Sequence, residues 1–321
     1  MAKIALKGIV LGAMLLLLSH TPVHALAART WVASVSAGGN DAHACTRTAP
    51  CKTFAVAVAR TAPGGEINCV DADDYGRVTI TKSLSIVCDN TEAGIFAAGT
   101  VGITVNTLVT DIVTLKGIDI EGFGTGTNGI RFIQGGALHV HKVGIKNFRS
   151  TAPNTSAQGI NFVPTRAAAL YVSESYLTDN GSGFDGSGIR IVPTAAAAAT
   201  VAITNTRVEN NLNGMRIFNG SPDTLKVVIA DSTIVGNTSA GIAHDSNARP
   251  SQLTLKNVVV ANNGFQGVFN GPTASTRIGD SVVTGNATGV ENAGGSFTSY
   301  KNNQIRLNTV DGTPLAAEIP E

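Results

Sequence analysis

An all-β solenoid, wound from coils of three short strands each, is the fold class this sequence predicts. Three observations carry it: a repeat period in the twenties, strand alternation inside each repeat, and Asn and Gly at the corners. From about residue 111 to residue 303 one order returns: an apolar alternation, a polar corner, a second apolar pair, an Asn corner, then Gly before an aliphatic residue. Copies include LTLKNVVVANNGFQGVFN (Leu253 to Asn270), VAITNTRVENNLNGMRIFN (Val201 to Asn219) and VVIADSTIVGNTSAGIAH (Val227 to His244). The Gly that opens the last strand recurs at Gly129, Gly159, Gly188, Gly214, Gly241, Gly267 and Gly289, in steps of 30, 29, 26, 27, 26 and 22 residues. A period of that size marks stacked repeats.

Taken in chain order, residues 1–27 read as a secretory signal peptide. Lys3 and Lys7 precede an apolar run from Gly8 to Leu18, and Ala25-Leu26-Ala27 supplies a small-x-small cleavage site. The run is too short for a comfortable membrane span, and no later stretch approaches one. The mature chain would keep 294 residues (321 minus 27) and 21 basic against 22 acidic side chains, since Lys3 and Lys7 leave. Near-neutrality with 14% charged residues argues against a nucleic-acid partner, which needs a basic footprint.

Residues 28–110 read as an N-terminal cap and the first coils. All four cysteines lie here, at Cys45, Cys51, Cys69 and Cys88. An even count in an exported chain points to two disulfides rather than a metal site, and no CxxC occurs. Cys45–Cys51 and Cys69–Cys88 are the favoured pairs among three connectivities: the first brackets a short loop and the second spans one short coil. In Pro50 to Ala62, Phe54 and Val58, with Ala55 and Ala62, share one face of a helix. The motif DADDYGRV (Asp71 to Val78) reads as structural.

Residues 111–303 are the regular coils, and 304–321 a C-terminal tail. Apolar residues alternate at spacing two within each repeat (Leu253 and Leu255, Val258 and Val260), which is strand periodicity. Joined at Gly and Asn corners, three such strands close a coil, and stacked coils form parallel sheets about 4.8 Å between strands. Asn180, Asn211, Asn237, Asn263 and Asn286 align in one column, with Phe123 and Phe148 there in earlier turns. Asn tolerates the left-handed backbone of a tight corner. Stacked Asn side chains can also bond one another, so the column is structural. Low aromatic content (5%) and 36 glycines suit a narrow coil.

This repeat resembles that of the right-handed parallel β-helix proteins, the superfamily of pectate lyases, polygalacturonases and pectin methylesterases. The resemblance covers most of the mature chain as one elongated domain. It implies a right-handed coil with the 50–62 helix capping the first turn, where it would hide an open sheet edge. It also implies a functional groove on the sheet made by the first strand of each turn. That carries over to the outward positions Thr114, Lys116, His139, His141, Tyr171, Ser173, Ala202, Thr204 and Lys256. Fold does not fix activity, however.

Lys116, His139, His141 and Tyr171 would form a polar cluster over three coils, able to bind a sugar carboxylate or move a proton. A solvated sheet face accounts for them equally. Glycoside hydrolysis needs two facing carboxylates, and none of these positions is acidic. The Asp-Asp, Gly-His-Gly and Arg-Ile-Lys pattern of polygalacturonases is absent, as are repeated carboxylates for calcium. A carboxylate arriving from a loop over His139 and His141 would favour an enzyme. On the middle strand, Glu121 and Lys146 should stack, with Arg207 and Glu209 further on. On the Gly strand, Arg131, Asn161, Arg190 and Arg216 make a basic stripe suited to an anionic polysaccharide, or simply to solubility.

The resulting expectation is a secreted or periplasmic monomer, without metal or cofactor, that binds extracellular or envelope carbohydrate. The alternatives are a carbohydrate-active enzyme (lyase, esterase or epimerase) on an acidic polysaccharide and a non-catalytic structural surface protein.

Overall fold

A computed structural model describes residues 26–318, apart from 90, 153, 154 and 248. The expected signal peptide lies outside the described residues, except for Leu26 and Ala27. Three parallel sheets of twelve, ten and ten strands run the length of one solenoid. Each complete coil contributes one strand to each sheet in the same order, here called first, second and third, and the first sheet has one further strand at each end. Leu138 and Val140 on the first sheet, Ile145 on the second and Ile130 and Phe132 on the third point inward and are buried. The alternation read from the sequence therefore sets which side chains fill the bore. Phe132 and Phe162 pack there with tilted rings, centroids 4.7 Å apart.

The cap forms for local reasons. Thr53 ends an extended segment, and its hydroxyl accepts from the Val56 amide at 3.3 Å, starting the helix Phe54–Arg60. Asp41 in turn receives the amides of Lys52 and Thr53, both at 2.9 Å. Phe54, Ala57 and Val58 are buried and Ala55 is exposed, so the apolar face runs through Ala57 rather than Ala55. Ala62 falls outside the helix, in the strand Thr61–Cys69. Within DADDYGRV, Tyr75 is fully buried against Phe54 at 5.2 Å between ring centroids. Its hydroxyl donates to Asp71, which also accepts from Ser34. Burial would raise the Asp71 carboxyl, but the hydrogen bonds from Ser34 and Tyr75 outweigh it and hold it below its ordinary value. Cys45–Cys51 and Cys69–Cys88 are both bonded.

The Asn column is continuous and its side chains bond along the axis as expected, but the left-handed position and Phe123 differ from expectation. Each Asn side chain spans two coils: Asn237 Oδ1 accepts the Asn211 amide at 3.0 Å, while its Nδ2 donates to Asn263 Oδ1 at 2.8 Å. The left-handed residue is the one before it: Asp179, Asn210, Gly236, Asn262 and Gly285 have φ from 54° to 68°, with Leu307 at 61°. Phe148 does occupy the column, its amide donating to Asn180 Oδ1 at 3.1 Å. Phe123 does not. It sits in the left-handed position at φ 52°, half exposed, because an extra residue follows Glu121 and shifts the corner by one.

The recurring Gly answers to space rather than to backbone freedom. A Cβ on Gly214 would lie 2.4 Å from the Gly241 carbonyl oxygen and 2.9 Å from Asn237 Nδ2. The same pair of neighbours closes on Gly188, Gly241 and Gly267. Corner Asn and strand Gly are thus one unit: the amide fills the volume that the Gly leaves empty. Residues 304–317, read as a tail, instead add Gln304–Ile305, Val310–Gly312 and Ala316–Ala317 to the three sheets. No helix among the described residues is long and apolar enough to cross a membrane.

Candidate functional site

On the first sheet the strands Ile112–Lys116, Ala137–His141, Ala168–Ser173 and Ala199–Thr204 lie side by side. Their register brings Thr114, His139, Tyr171 and Ala202 into one outward column, and Lys116, His141, Ser173 and Thr204 into the next. All four proposed catalytic candidates, Lys116, His139, His141 and Tyr171, are therefore neighbours. They line a shallow recess of about 370 Å³ with Thr114 and Ser173.

His139 and Tyr171 stack, with centroids 4.7 Å apart and planes 21° from parallel. That separation is the strand spacing, so both rings lie roughly across the solenoid axis. On the other side of Tyr171 the register places Ala202, whose methyl group is small, and the Tyr171 side chain stays exposed. Burial lowers the His139 pKa, which leaves its imidazole neutral at pH 7. His141 Nδ1 bonds Ser173 Oγ at 3.0 Å.

A carboxylate does reach this patch, and sequence reasoning did not find it. Asp89 follows Cys88 directly, and the Cys69–Cys88 disulfide ties down the turn that carries it. Its carboxylate forms an ion pair with Lys116. The signal available was the adjacency of Asp89 to a bonded cysteine, and the repeat pattern does not extend that far toward the N-terminus.

The third-sheet row is in register as expected: Arg131 opposite Asn161, Asn161 opposite Arg190, Arg190 opposite Arg216. The row is not purely basic, because Asp185 lies between two of the arginines. Its carboxylate receives Arg190 at 3.2 Å and Arg216 at 2.9 Å. Arg190 also donates to Asn161 Oδ1 at 3.2 Å, and Arg216 packs over the Phe184 ring at 5.2 Å. Asp185 sits in a loop between two strands, where no repeat position announces it.

On the second sheet Lys146 pairs with Glu121 at 3.6 Å, in the register expected. Arg207 and Glu209 also form an ion pair, on one strand. Asp73, Asp74, Glu92, Asp119, Glu121 and Lys146 border a second recess of about 550 Å³ beside the edge-to-face pair Phe96 and Phe123. Burial, with Lys146 opposing and Glu92 assisting, raises the Asp119 carboxyl. Much of this acidity serves the corner itself. Asp74 accepts the amides of Gly76 and Phe96 at 2.9 and 3.1 Å, and Glu121 accepts that of Phe123 at 2.8 Å.

No family model and no curated protein matches this sequence. Among solved structures, the chain is similar to the pectate lyase Pel9A, at 15% identity and a TM-score of 0.65, over 91% of this chain and 78% of that one. Two further matches are the GH136 lacto-N-biosidase from Eubacterium ramulus and the Azotobacter vinelandii mannuronan C-5 epimerase AlgE4 A-module. The first has 11% identity and a TM-score of 0.46 over 91% and 67% of the two chains; the second has 13% and 0.38 over 81% and 90%. At these identities the likeness speaks to fold. With three parallel sheets and one Asn-lined corner, the chain is a right-handed parallel β-helix.

Proposed function

We propose that this chain is an exported carbohydrate-binding β-helix whose contact surface is the outer face of the first sheet around Tyr171. The observation that carries the reading is the exposed Tyr171 ring, stacked on His139 and followed in register by the small Ala202. A sugar stacks its C–H face on an aromatic ring and hydrogen-bonds through its rim. Here the ring is held from behind by His139, and Ser173, Thr204, His141 and Lys116 supply the rim. The loops leading into this sheet are short, which suits a long chain lying across the coils rather than a closed cleft. Both disulfides support export, because such bonds persist in oxidising compartments. The solved pectate lyase relative is named for action on a polysaccharide, which fits this class of ligand.

Tyr171→Ala should weaken binding to the best ligand on a glycan array about tenfold, the equivalent of one stacked ring at roughly 1.4 kcal/mol. Unchanged binding would remove the first sheet from consideration.

A second reading is favoured by one observation, the arrival of Asp89. In it the patch is a lyase, esterase or epimerase site, with His141 or Lys116 moving a proton. A time course of unsaturated or de-esterified product on polyuronates, abolished by His141→Ala with binding retained, would establish this reading over simple binding.

A further inference from the structure

We infer that the third-sheet row Arg131–Asn161–Arg190–Arg216 is a second site, for carboxylated polysaccharide, which Asp185 holds closed by standing in for a ligand carboxylate. The inference rests on the carbohydrate reading for its class of ligand but uses a different face of the coil.

The row is set by register rather than by chance proximity. Parallel pairing puts Arg131, Asn161, Arg190 and Arg216 on successive coils, about 4.8 Å apart along the axis. The guanidinium groups of Arg190 and Arg216 at that spacing, with Arg131 one coil further off beyond Asn161, repel one another unless something intervenes. Asp185 intervenes at one end only. Its two oxygens divide between neighbours, Oδ1 to Arg216 Nε at 2.9 Å and Oδ2 to Arg190 Nη2 at 3.2 Å. That is a carboxylate bridging two arginines of adjacent coils, the geometry a uronate carboxylate would take on the same row.

Two further features separate this arrangement from a surface ion pair. First, the compensation is incomplete. Arg131 is exposed and has no hydrogen bond or ion pair among the described residues, and the Arg190 Nε is buried without a partner. Two cations therefore share one anion while a third has none, and one donor stays unsatisfied, a state that normally calls for a ligand or water. Second, the bridging carboxylate comes from a loop between two strands and not from the row itself, so a ligand carboxylate can compete for the same guanidinium groups. Phe184, beside Asp185, is 85% exposed. Phe184 touches the row through Arg216 and offers an apolar face beside the charges, as sugar sites do. A carboxylated chain along the axis would meet Arg131 and Asn161 first. It would then compete with Asp185 for Arg190 and Arg216, with planar, bidentate recognition favouring arginine at each step.

The test is titration of the full mature chain with polygalacturonate, and with neutral dextran as control, at low and at physiological salt. Wild type should bind the polyuronate in a salt-weakened manner and ignore dextran on this face. Asp185→Asn should tighten polyuronate binding about fivefold, since one competing charge is removed, and Arg131→Gln should weaken it about threefold. The Arg131 side chain is exposed and makes no hydrogen bond or ion pair among the described residues, so its variant should keep the fold. The double variant Arg190→Gln with Arg216→Gln should abolish binding; should it fail to fold, the Asp185 and Arg131 variants decide alone. Weaker binding in Asp185→Asn, unchanged binding in Arg131→Gln, or no polyuronate binding by wild type at low salt would each overturn the inference. Tyr171→Ala separates the two sites. Polyuronate binding that survives it but falls with Arg131→Gln supports the row whatever the fate of the first-sheet patch. Loss with Tyr171→Ala alone assigns the ligand to the first sheet and overturns the row.

Discussion

The coils before residue 150 and those after it solve the same corner with different chemistry. In the later coils the corner is polar: Asn180, Asn211, Asn237, Asn263 and Asn286 are buried, and each hands hydrogen bonds to the next. In the earlier ones Phe148 fills that volume with a ring, Phe123 lies outside on the surface, and the cap relies on two disulfides. The difference teaches that the corner requires filled volume above all. Where Asn fills it, backbone amides left over by the turn are satisfied as well. Where Phe fills it, apolar burial does the work, and Asn180 supplies an oxygen to the Phe148 amide from the next coil.

The two corners should break differently. Phe148→Ala leaves a ring-sized cavity and should cost about 3–5 kcal/mol. Asn237→Leu keeps the volume but orphans the Asn211 amide, with a loss of about 1–3 kcal/mol. Urea melts of both variants check the order. A larger loss for Asn237→Leu would mean that the hydrogen-bonded ladder, and not packing, dominates the corner.

A second contrast, inside the bore, sharpens the first with pH. His244 replaces an aliphatic core residue, is fully buried, and bonds Thr276 Oγ1 at 2.8 Å and Ser251 Oγ at 2.7 Å. Burial pushes its pKa down to about 4 from an ordinary 6.5. A depressed histidine contributes its full stability above the unfolded value, near pH 6.5, and loses it as pH falls through the folded value, near pH 4. Integrated over that window, the loss is roughly 3 kcal/mol. His244→Gln should flatten the melting-temperature profile between those limits, whereas His139→Gln, on the partly exposed sheet face, should alter it far less. A profile equally steep in His244→Gln would place the acid sensitivity elsewhere.

The sequence showed the solenoid clearly because its determinants are periodic. Val208, Ile234 and Val260 recur where the bore needs them, and Gly214, Gly241 and Gly267 recur where the neighbouring carbonyl and Asn amide leave no room for a Cβ. The third-sheet arginines and the His139 cluster were legible for the same reason, since outward columns follow once register is known. Asp89 and Asp185 were not, because both come from connections outside the repeat, and only the folded chain brings them to Lys116 and to the arginines. Phe123 was misplaced by a single extra residue, which turns an inward corner position into an outward left-handed one.

That left-handed column yields the smallest expected effect. Gly236, Gly285, Asn210 and Asn262 all occupy it in the Asn-cornered coils. Leu307 holds the same conformation at φ 61° in the last coil, with 86% of its surface exposed. A leucine there carries the steric penalty of a Cβ in the left-handed region, about 1–2 kcal/mol, and gains almost no burial in return. Glycine would remove the penalty while adding chain entropy to the unfolded state, costing about 0.5–1 kcal/mol. Leu307→Gly should therefore stabilise the protein by about 0.5 kcal/mol, and Leu307→Asn by a comparable amount through its tolerance of that backbone. Gly285→Ala should do the opposite, since its φ is 68° and a Cβ would meet Asn262 Oδ1 at 2.2 Å. Paired denaturant melts of the three variants read the sign at each position. Destabilisation by Leu307→Gly would show that the last coil draws on the leucine side chain for packing, and that the column's preference for Gly and Asn stops short of the solenoid's end.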